Sequence, residues 1–236
     1  MNMCVRYILH KSDAALAAVA RAIAATYRRP DWLVDRYNIR ISEVAPVFAR
    51  QGTETTLAPM MFGLVPSFQR GNPKKKLLHN ARSETVTTLP SFREAVQRRR
   101  CLIPANGFYD SMTVGKVSRP FVFMLKNEEP FAIAGIWEPG LEDDLPPSFS
   151  MLTTDPNDLV APLHDRMPVV LSAPDMLRWL GDKPLSESAI QELCQAIPGN
   201  RMTAREVNRY VNKPRSEGPK CLAAPDEPDQ ELVLFP

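Results

Sequence analysis

Apolar residues recur with a period of two along much of the chain, and this spacing predicts short β-strands separated by turns. The predicted strands cover residues 5–9, 44–49, 55–64, 101–104, 121–125, 131–137, 148–153, 169–171 and 232–235. Phe121, Phe123 and Leu125 share one face of their strand, and turn residues at 127–129 lead back into the next strand. The two strands 121–125 and 131–137 are therefore predicted to pair as a hairpin.

A second spacing, with apolar residues three and four apart, predicts short helices between the strands. These helices are expected at residues 12–29, 91–100, 174–180 and 186–197. Ser12 is expected to cap the first helix, and Ser91 with Glu94 fits a capping box at the start of the second. Gly181 and Gly199 follow the last two helices as stop signals.

Composition favours one mixed domain. A chain of 236 residues with 44% hydrophobic residues can bury a substantial core without a second module. Its 23 prolines disfavour long helices and favour short strands and turns. We expect a single α+β domain over residues 1–236, with an extended C-terminal segment from about residue 212, rich in proline and charged residues.

Charge and cysteine content narrow the class of protein. The net charge is only +2, so attraction to nucleic acid must come from local clusters such as Arg28-Arg29, Lys74-Lys75-Lys76 and Arg98-Arg99-Arg100. Such runs fit either a solvated surface or a binding face. The four cysteines and three histidines are widely spaced, so we expect no metal site. With no signal peptide or long apolar run, the protein is expected to be cytoplasmic, not bound to a membrane, with reduced thiols.

Cys4, close to the amino terminus, is the first candidate for chemistry. Once the preceding residues are removed, its thiol and its α-amine lie on one carbon framework and can condense with an aldehyde to a five-membered thiazolidine. The alternative is a small apolar residue on the first strand.

Three polar residues at strand ends or turns complement that chemistry: Asn80, Asp110 and His164. An aldehyde-trapping site requires an amide to orient the nucleophile, a carboxylate to accept a proton and an imidazole to donate one to a departing sugar oxygen. Each residue also has a structural interpretation, because Asp110 can stabilise a turn and His164 can be an ordinary hydrogen-bonded histidine.

Several longer motifs carry a resemblance to a known family. They are Met3-Cys4-Val5-Arg6-Tyr7, Arg36-Tyr37-Asn38-Ile39, residues 62–67 (FGLVPS), 80–85 (NARSET) and 100–109 (RCLIPANGFY), His164-Asp165-Arg166-Met167-Pro168, and Val211-Asn212-Lys213-Pro214. In this order they resemble the SRAP family, the SOS response-associated peptidase or abasic-site processing proteins. The resemblance covers residues 3–219.

The resemblance implies a fold and a mechanism. It implies a strongly bent, largely antiparallel sheet closing toward a β-barrel with helices around it. Cys4 matches the family nucleophile, which closes a thiazolidine on the C1′ aldehyde of an abasic site. Asn80 matches the asparagine that holds nucleophile and sugar, and His164 the histidine that assists ring opening. Asp110 stands where the family has a glutamate credited with proton transfer and leader removal.

The family resemblance also implies a partner, single-stranded DNA that contains abasic sites. The residues expected to bind it are Arg6, Arg82, Phe68, Lys74, Lys75, Lys76 and Arg166. No cofactor is expected, and the protein is expected to be a monomer with possible autopeptidase and lyase activity. Two other readings remain open: a DNA-binding module of the same fold that forms no crosslink, and a thiol hydrolase that uses Cys4 and His164 on a peptide.

Overall fold

A computed structural model describes residues 6–69, 72, 76–115, 117–140 and 145–226. Cys4, Lys74, Lys75 and the last predicted strand at 232–235 lie outside these ranges. The described part of the chain contains thirteen strands and four α-helices, joined by turns and short 3-10 helices.

The strands are β1 (Arg6–Leu9), β2 (Arg36–Arg40), β3 (Val44–Gln51), β4 (Glu54–Phe62), β5 (Asn80–Arg82), β6 (Arg100–Ala105), β7 (Gly107–Val114), β8 (Val117–Leu125), β9 (Phe131–Glu138), β10 (Ser148–Thr154), β11 (Met167–Pro168), β12 (Val170–Leu171) and β13 (Met202–Glu206). The helices are α1 (Ser12–Ala22), α2 (Arg93–Arg98), α3 (Ala173–Leu180) and α4 (Glu187–Leu193). The 3-10 helices are Ser67–Gln69, Lys126–Glu128, Gly199–Arg201, Arg209–Asn212 and Pro219–Leu222.

The strands form two sheets. The smaller has the order β13-β8-β7-β1-β2, and the larger has the order β11-β10-β4-β3-β6-β9-β12, with β5 beside β10. Most pairs are antiparallel, but β10 runs parallel to β4 and β5. Because β9 also pairs with β10, the larger sheet curves back on itself. It is partly ring-like without becoming a closed barrel, which confirms the expected α+β class with a bent sheet.

Apolar side chains pack in three layers. The first cluster lies between the sheets and includes Tyr7, Phe108, Phe62 and Met151. A second cluster buries the outer face of the larger sheet beneath the helices. A third covers the outer face of the smaller sheet, where Cys221 and its neighbours in the C-terminal 3-10 helices pack.

The chain passes from the larger sheet to the smaller one at Asn106-Gly107, between β6 and β7. A Cβ atom at Gly107 would lie 2.8 Å from the carbonyl oxygen of Phe123 on β8. Only glycine allows so close an approach, so the crossing and the start of β7 depend on this residue.

The predicted hairpin between 121–125 and 131–137 is wrong. These segments are β8 and β9, and they belong to different sheets. The hairpin partner of β8 is instead β7, with Val114 opposite Val117. After β8, Asn127 and Glu128 adopt positive φ and redirect the chain into the larger sheet. Alternation identifies the faces of a strand but not its partner, which explains the error.

Two predicted helix starts are also wrong in detail. Lys11, not Ser12, is the N-cap of α1, and the Ser12 hydroxyl instead donates to Asp35 at 2.8 Å. The helix ends at Ala22, well before residue 29. The N-cap of α2 is Phe92, without a side-chain cap, so the expected capping box does not form. Capping at Ser186 is seen, where the hydroxyl accepts the Ala189 N–H at 3.1 Å.

Three of the sequence motifs meet on the outer face of the smaller sheet. The Asn38 side-chain amide donates to the carbonyl oxygens of Val211 and Ser216, both at 3.1 Å. Arg6 donates to the same Val211 carbonyl and to Asn212, each at 2.6 Å. These contacts fasten the C-terminal motif across the beginning of β1 and the middle of β2.

Within the described ranges, no helix has the length and apolar character needed to cross a membrane.

Two buried tyrosines allow a matched test of hydrogen bonding in the core. The Tyr109 hydroxyl donates to the carbonyl of Tyr37 at 2.8 Å. The buried Tyr7 hydroxyl has no hydrogen-bond partner in the part of the chain that the structure describes. We expect Tyr109→Phe to lower the free energy of unfolding by about 1 kcal/mol and Tyr7→Phe to leave it unchanged or raise it by about 1 kcal/mol.

Urea unfolding of the two variants beside the parent chain measures this difference. Equal losses of stability in both variants would contradict the assignment of Tyr7 as the unbonded hydroxyl.

Candidate functional site

The candidate site is organised by Thr153 near the end of β10. On one side Thr153 pairs with Arg82 of β5, and on the other with Pro168 of β11. The strand that carries Asn80 and the turn that carries His164, just before β11, therefore flank the same strand. This explains how two motifs far apart in sequence reach one place.

Asn80 and Arg82 share one face of β5, opposite to Ala81. Ala81 is buried in the core beneath the helices, which fixes the strand. Asn80 is half-buried and lies opposite Met151, a residue of the core between the sheets. Arg82 is exposed. This face of β5 thus carries the amide of Asn80, the candidate for orienting the reactants, next to the exposed guanidinium of Arg82.

His164 is buried, and its two ring nitrogens have different environments. Nδ1 accepts the backbone N–H of Arg166 at 3.0 Å. Nε2 is buried, with no hydrogen-bond partner among the residues that the structure describes. The Asp165 carboxylate also lies 2.9 Å from Nδ1, but its side chain is 77% exposed. Nε2 is therefore the ring nitrogen left to interact with a ligand.

Asp110 lies on β7, on the face of Phe108 that packs between the sheets. Its Oδ1 accepts the Ser111 N–H at 2.7 Å, while its buried Oδ2 has no partner within the described ranges. Burial raises the pKa of Asp110 to about 6, against the lowering effects of the Ser111 N–H and the charges of His164 and Arg6. The charge of His164 acts on the pKa of Asp110, so the two groups interact electrostatically, and a carboxyl of this pKa exchanges protons near neutral pH.

Arg166 is buried and holds the two halves of the site together. Its guanidinium binds both carboxylate oxygens of Glu84, and it donates to Asp155 at 2.8 Å and to the Thr153 carbonyl at 2.7 Å. The sequence motifs contain both Glu84 and Arg166, but nothing in their spacing indicates the pair, and Asp155 was not among the candidates. These contacts occupy both terminal nitrogens of the guanidinium, while its buried Nε has no partner among the described residues. The expected DNA contact of Arg166 stays a prediction.

The other candidates for DNA binding are more dispersed. Phe68 lies in the 3-10 helix after β4 and is 62% exposed. Lys76 is exposed, and its backbone N–H donates to the Gln69 side chain at 3.0 Å. Arg6 lies over the ring of Tyr109 and is bonded to the C-terminal motif. Phe68 and Lys76 are thus available to a ligand, whereas Arg6 already has a structural role.

The basic run at 98–100 does not form a binding face. Arg100 is buried, and its guanidinium donates to the backbone carbonyls of Trp179, Val96, Gln97, Gly181 and Lys183. Arg99 forms ion pairs with Glu94 and Glu138. The run therefore serves mainly to join α2 and α3 to the larger sheet.

The described cysteines do not offer a nucleophile. Cys101, Cys194 and Cys221 are buried, and burial raises the pKa of each thiol, to about 12 for Cys194. A thiol of raised pKa is a poor source of thiolate at neutral pH. Cys4 is left as the candidate, although it lies outside the described residues. Nor do the described residues contain a group of three or more histidines, cysteines or acidic residues that could hold a metal ion.

A family model for SOS response associated peptidase (SRAP) matches residues 3–214. The chain belongs to the SRAP family. Curated relatives include the abasic site processing protein YoqW of Bacillus subtilis, 31% identical over 189 residues, with 79% of this chain and 84% of YoqW covered. The abasic site processing protein HMCES of Rattus norvegicus is 28% identical over 264 residues, with 94% of this chain and 74% of HMCES covered.

Solved structures agree on the fold. A crystal structure of a protein from Bacteroides thetaiotaomicron matches with a TM-score of 0.76 at 23% identity, covering 92% of this chain and 99% of that one. A phage-related protein from Bordetella bronchiseptica matches with a TM-score of 0.69 at 22% identity, covering 86% of this chain and 94% of that one. The architecture described above is thus the fold of the SRAP family.

The raised pKa of Asp110 predicts a specific pH dependence of stability. The folded state favours the protonated carboxyl. The stability that Asp110 contributes is therefore fully present below the unfolded pKa near 4 and is lost as the pH rises through about 6. The asparagine of Asp110→Asn cannot ionise. The free energy of unfolding of this variant, relative to that of the parent chain, should therefore be higher at pH 8 than at pH 4 by roughly 2–3 kcal/mol.

Urea unfolding of both chains across this pH range provides the measurement. The exposed Asp158→Asn serves as the control and should show no such gain. Parallel pH curves for Asp110→Asn and the parent chain would refute the assignment.

Proposed function

We propose that this protein processes abasic sites in single-stranded DNA by forming a covalent thiazolidine between Cys4 and the ring-opened sugar. The observation that carries the proposal is the buried Asp110 carboxyl, which interacts electrostatically with the buried His164 and lies on β7 beside the beginning of β1. Family membership and the names of the relatives, abasic site processing proteins, support the substrate class.

The reach of the chain supports Cys4 as the nucleophile. Arg6 is the first residue of β1 and pairs with Tyr109, the residue before Asp110. Two residues of extended chain span at most about 7 Å, so the Cα of Cys4 cannot lie much farther than that from the Cα of Arg6. This chain length allows the thiol and amine to reach the Asp110 carboxyl.

The first step is opening of the sugar. The C1′–O4′ bond of the cyclic hemiacetal breaks as the C1′ hydroxyl proton passes to the Asp110 carboxylate, while His164 Nε2–H donates a hydrogen bond to the departing O4′ and a water molecule supplies its proton. The proton on Asp110 then passes to the hydroxide that remains, so no group keeps a net proton. The product is the C1′ aldehyde.

The second step traps that aldehyde. The Cys4 amine adds to C1′ and the carbonyl oxygen leaves as water, giving an imine. The thiolate then adds to the imine carbon and the ring nitrogen keeps one proton, so aldehyde, amine and thiol yield thiazolidine and water. Asn80 orients the reactants, and no oxidant, metal or organic cofactor is consumed. Strand cleavage by lyase chemistry can branch from the imine.

A free amine at Cys4 is a strict requirement. Met1, Asn2 and Met3 precede it in the sequence, so the thiazolidine forms only when these residues are absent. We propose that Cys4 and Asp110 remove them by self-cleavage, or that translation begins at Met3 and the initiator is removed.

DNA binding in this proposal comes from a phosphate contact and a stacking contact. The exposed Arg82, on the face of Asn80, is placed to meet a phosphate beside the reacting sugar. The exposed Phe68 offers a ring on which an unpaired base can stack. We also propose that the lysines at 74–76 add positive charge for binding the DNA strand.

The crosslink itself is tested with a chain confirmed by mass spectrometry to begin at Cys4. Incubated with single-stranded DNA that carries one abasic site, it should form an adduct that survives denaturing electrophoresis. Cys4→Ala should abolish the adduct, and His164→Gln should slow its formation by about 100-fold or more, the usual contribution of a hydrogen-bond donor to a developing oxyanion. Cys194→Ala, at a buried thiol, is the matched control and should form the adduct normally.

The absence of any adduct from the verified chain would sink the crosslinking proposal. If that chain still bound single-stranded DNA, the result would favour the binding module of the same fold.

DNA binding is tested separately with undamaged single-stranded DNA at several salt concentrations. Arg82→Gln should reduce the slope of log affinity against log salt by about 0.7, the value for one phosphate contact on a single strand. Phe68→Ala should weaken binding by about 1–3 kcal/mol at every salt concentration. Leu177→Ala removes a comparably exposed apolar side chain from α3 and should have no effect. Unchanged binding in both Arg82→Gln and Phe68→Ala would remove this face from the proposal.

A further inference from the structure

We propose that Arg166 is a positioning residue: its guanidinium fixes the backbone N–H that selects the tautomer of His164, and it does not contact phosphate. The catalytic meaning of this inference rests on the proposed function. The structural part, the control of the imidazole, stands without it.

The contacts of the guanidinium define a clamp, which we name the Glu84–Arg166 clamp. It consists of Arg166, both carboxylate oxygens of Glu84, the Asp155 carboxylate and the Thr153 carbonyl. The bidentate pairing of a guanidinium with a carboxylate has a fixed planar geometry that a lysine cannot reproduce. The clamp therefore determines the position of residue 166 more strictly than a single ion pair would.

The clamp crosses β10. Glu84 follows β5 on one side of Thr153, and Arg166 precedes β11 on the other. Because the Arg166 side chain bonds to the segment after β5, any movement of His164 relative to Asn80 must strain or break these bonds. The clamp in this way keeps the strand that carries Asn80 and the turn that carries His164 at one separation.

The backbone N–H of Arg166 then acts on His164. It donates to Nδ1 at 3.0 Å, which favours the neutral tautomer with the lone pair on Nδ1 and the ring proton on Nε2. Asp165 competes for Nδ1 at 2.9 Å, but water can solvate its exposed carboxylate. The N–H of Arg166 is buried and has no equivalent alternative, so the clamp favours the Nε2–H tautomer.

This tautomer is the one that the proposed reaction requires. Nε2 is the buried nitrogen without a hydrogen-bond partner among the described residues, and it is the atom proposed to serve the departing O4′. In the opposite tautomer Nε2 would present a lone pair to O4′ and could not donate a hydrogen bond to it. A loosened clamp should therefore slow crosslinking without removing a charge from the DNA-binding surface.

Lysine substitutions separate a clamp from a phosphate contact. A lysine binds phosphate well as a point charge, so it should replace an arginine that only contacts DNA. Arg166→Lys keeps the charge but loses the bidentate geometry. Arg178→Lys is the matched control, at an exposed arginine of α3 that pairs with Glu192 and has no role in the proposed site.

Three measurements are made on each chain: the crosslinking rate, the salt dependence of binding to undamaged single-stranded DNA, and the ¹⁵N shifts of the imidazole nitrogens. The chain has three histidines, so the spectrum of His164→Gln identifies the signals of His164. The shifts report which ring nitrogen carries the proton, a property that a general loss of stability does not change.

We expect Arg166→Lys to keep the salt dependence of the parent chain, to shift His164 toward a mixture of tautomers and to crosslink about 10- to 100-fold more slowly. Arg178→Lys should leave all three measurements close to those of the parent. Glu84→Gln, which breaks the clamp from its other end and leaves Arg166 intact, should reproduce the tautomer shift and the slower rate.

The inference is overturned if both Arg166→Lys and Glu84→Gln keep the imidazole spectrum and the crosslinking rate of the parent. If Arg166→Lys fails to fold, Glu84→Gln alone decides by the same criteria. A parent chain that begins at Cys4 but forms no adduct would refute the proposed function, and the imidazole spectra would still decide the positioning role.

Discussion

Strand β10 is hydrogen-bonded along both edges, first between β4 and β9 and then between β5 and β11. Backbone ladders hold neighbouring strands about 4.8 Å apart, so β5 and β11 stand about 10 Å apart across β10 whatever their surface side chains are. Asn80 lies on one of these strands and His164 just before the other. The backbone thus sets the separation of the two strands, and the Glu84–Arg166 clamp fixes the turn that carries His164 relative to them.

Asp110 reaches this site from the other sheet. Its position depends on the crossing at Asn106-Gly107 and on the pairing of β7 with β1. The site therefore lies at the junction of the two sheets, where a carboxyl is buried without a full set of hydrogen bonds. Groups left unsatisfied in a folded protein cost stability, and their presence here is typical of a place where a ligand completes the set.

Much of the architecture could be predicted from the sequence because alternation and turn residues are local signals. The strands around Phe123 and Ile133 were placed correctly, yet their pairing was not, because either sheet accepts the same alternation. The predicted cap at Ser12 is wrong for a related reason. The Ser12 hydroxyl donates a hydrogen bond to Asp35, which is distant in sequence. The candidate residues Asn80, Asp110 and His164 came from motifs, whereas their grouping required the topology of β10.

The arginines show the same limit. Arg100 lies in a basic run of the sequence, but its guanidinium is hydrogen-bonded to backbone carbonyls. Arg99 is paired with carboxylates. A run of like charges in sequence does not say whether its members share a surface, since alternate residues of a strand point to opposite faces. Arg82, a single arginine outside any run, is the one that the fold leaves exposed beside Asn80.

The contact between Arg6 and Val211 joins residues 205 positions apart in the chain. During synthesis at roughly 5–20 residues per second, the start of β1 must wait on the order of 10–40 seconds before its anchoring carbonyl even exists. The ladders of β1 with β2 and β7 can form earlier, so the contact with Val211 adds the last anchor to a strand that the sheet already holds.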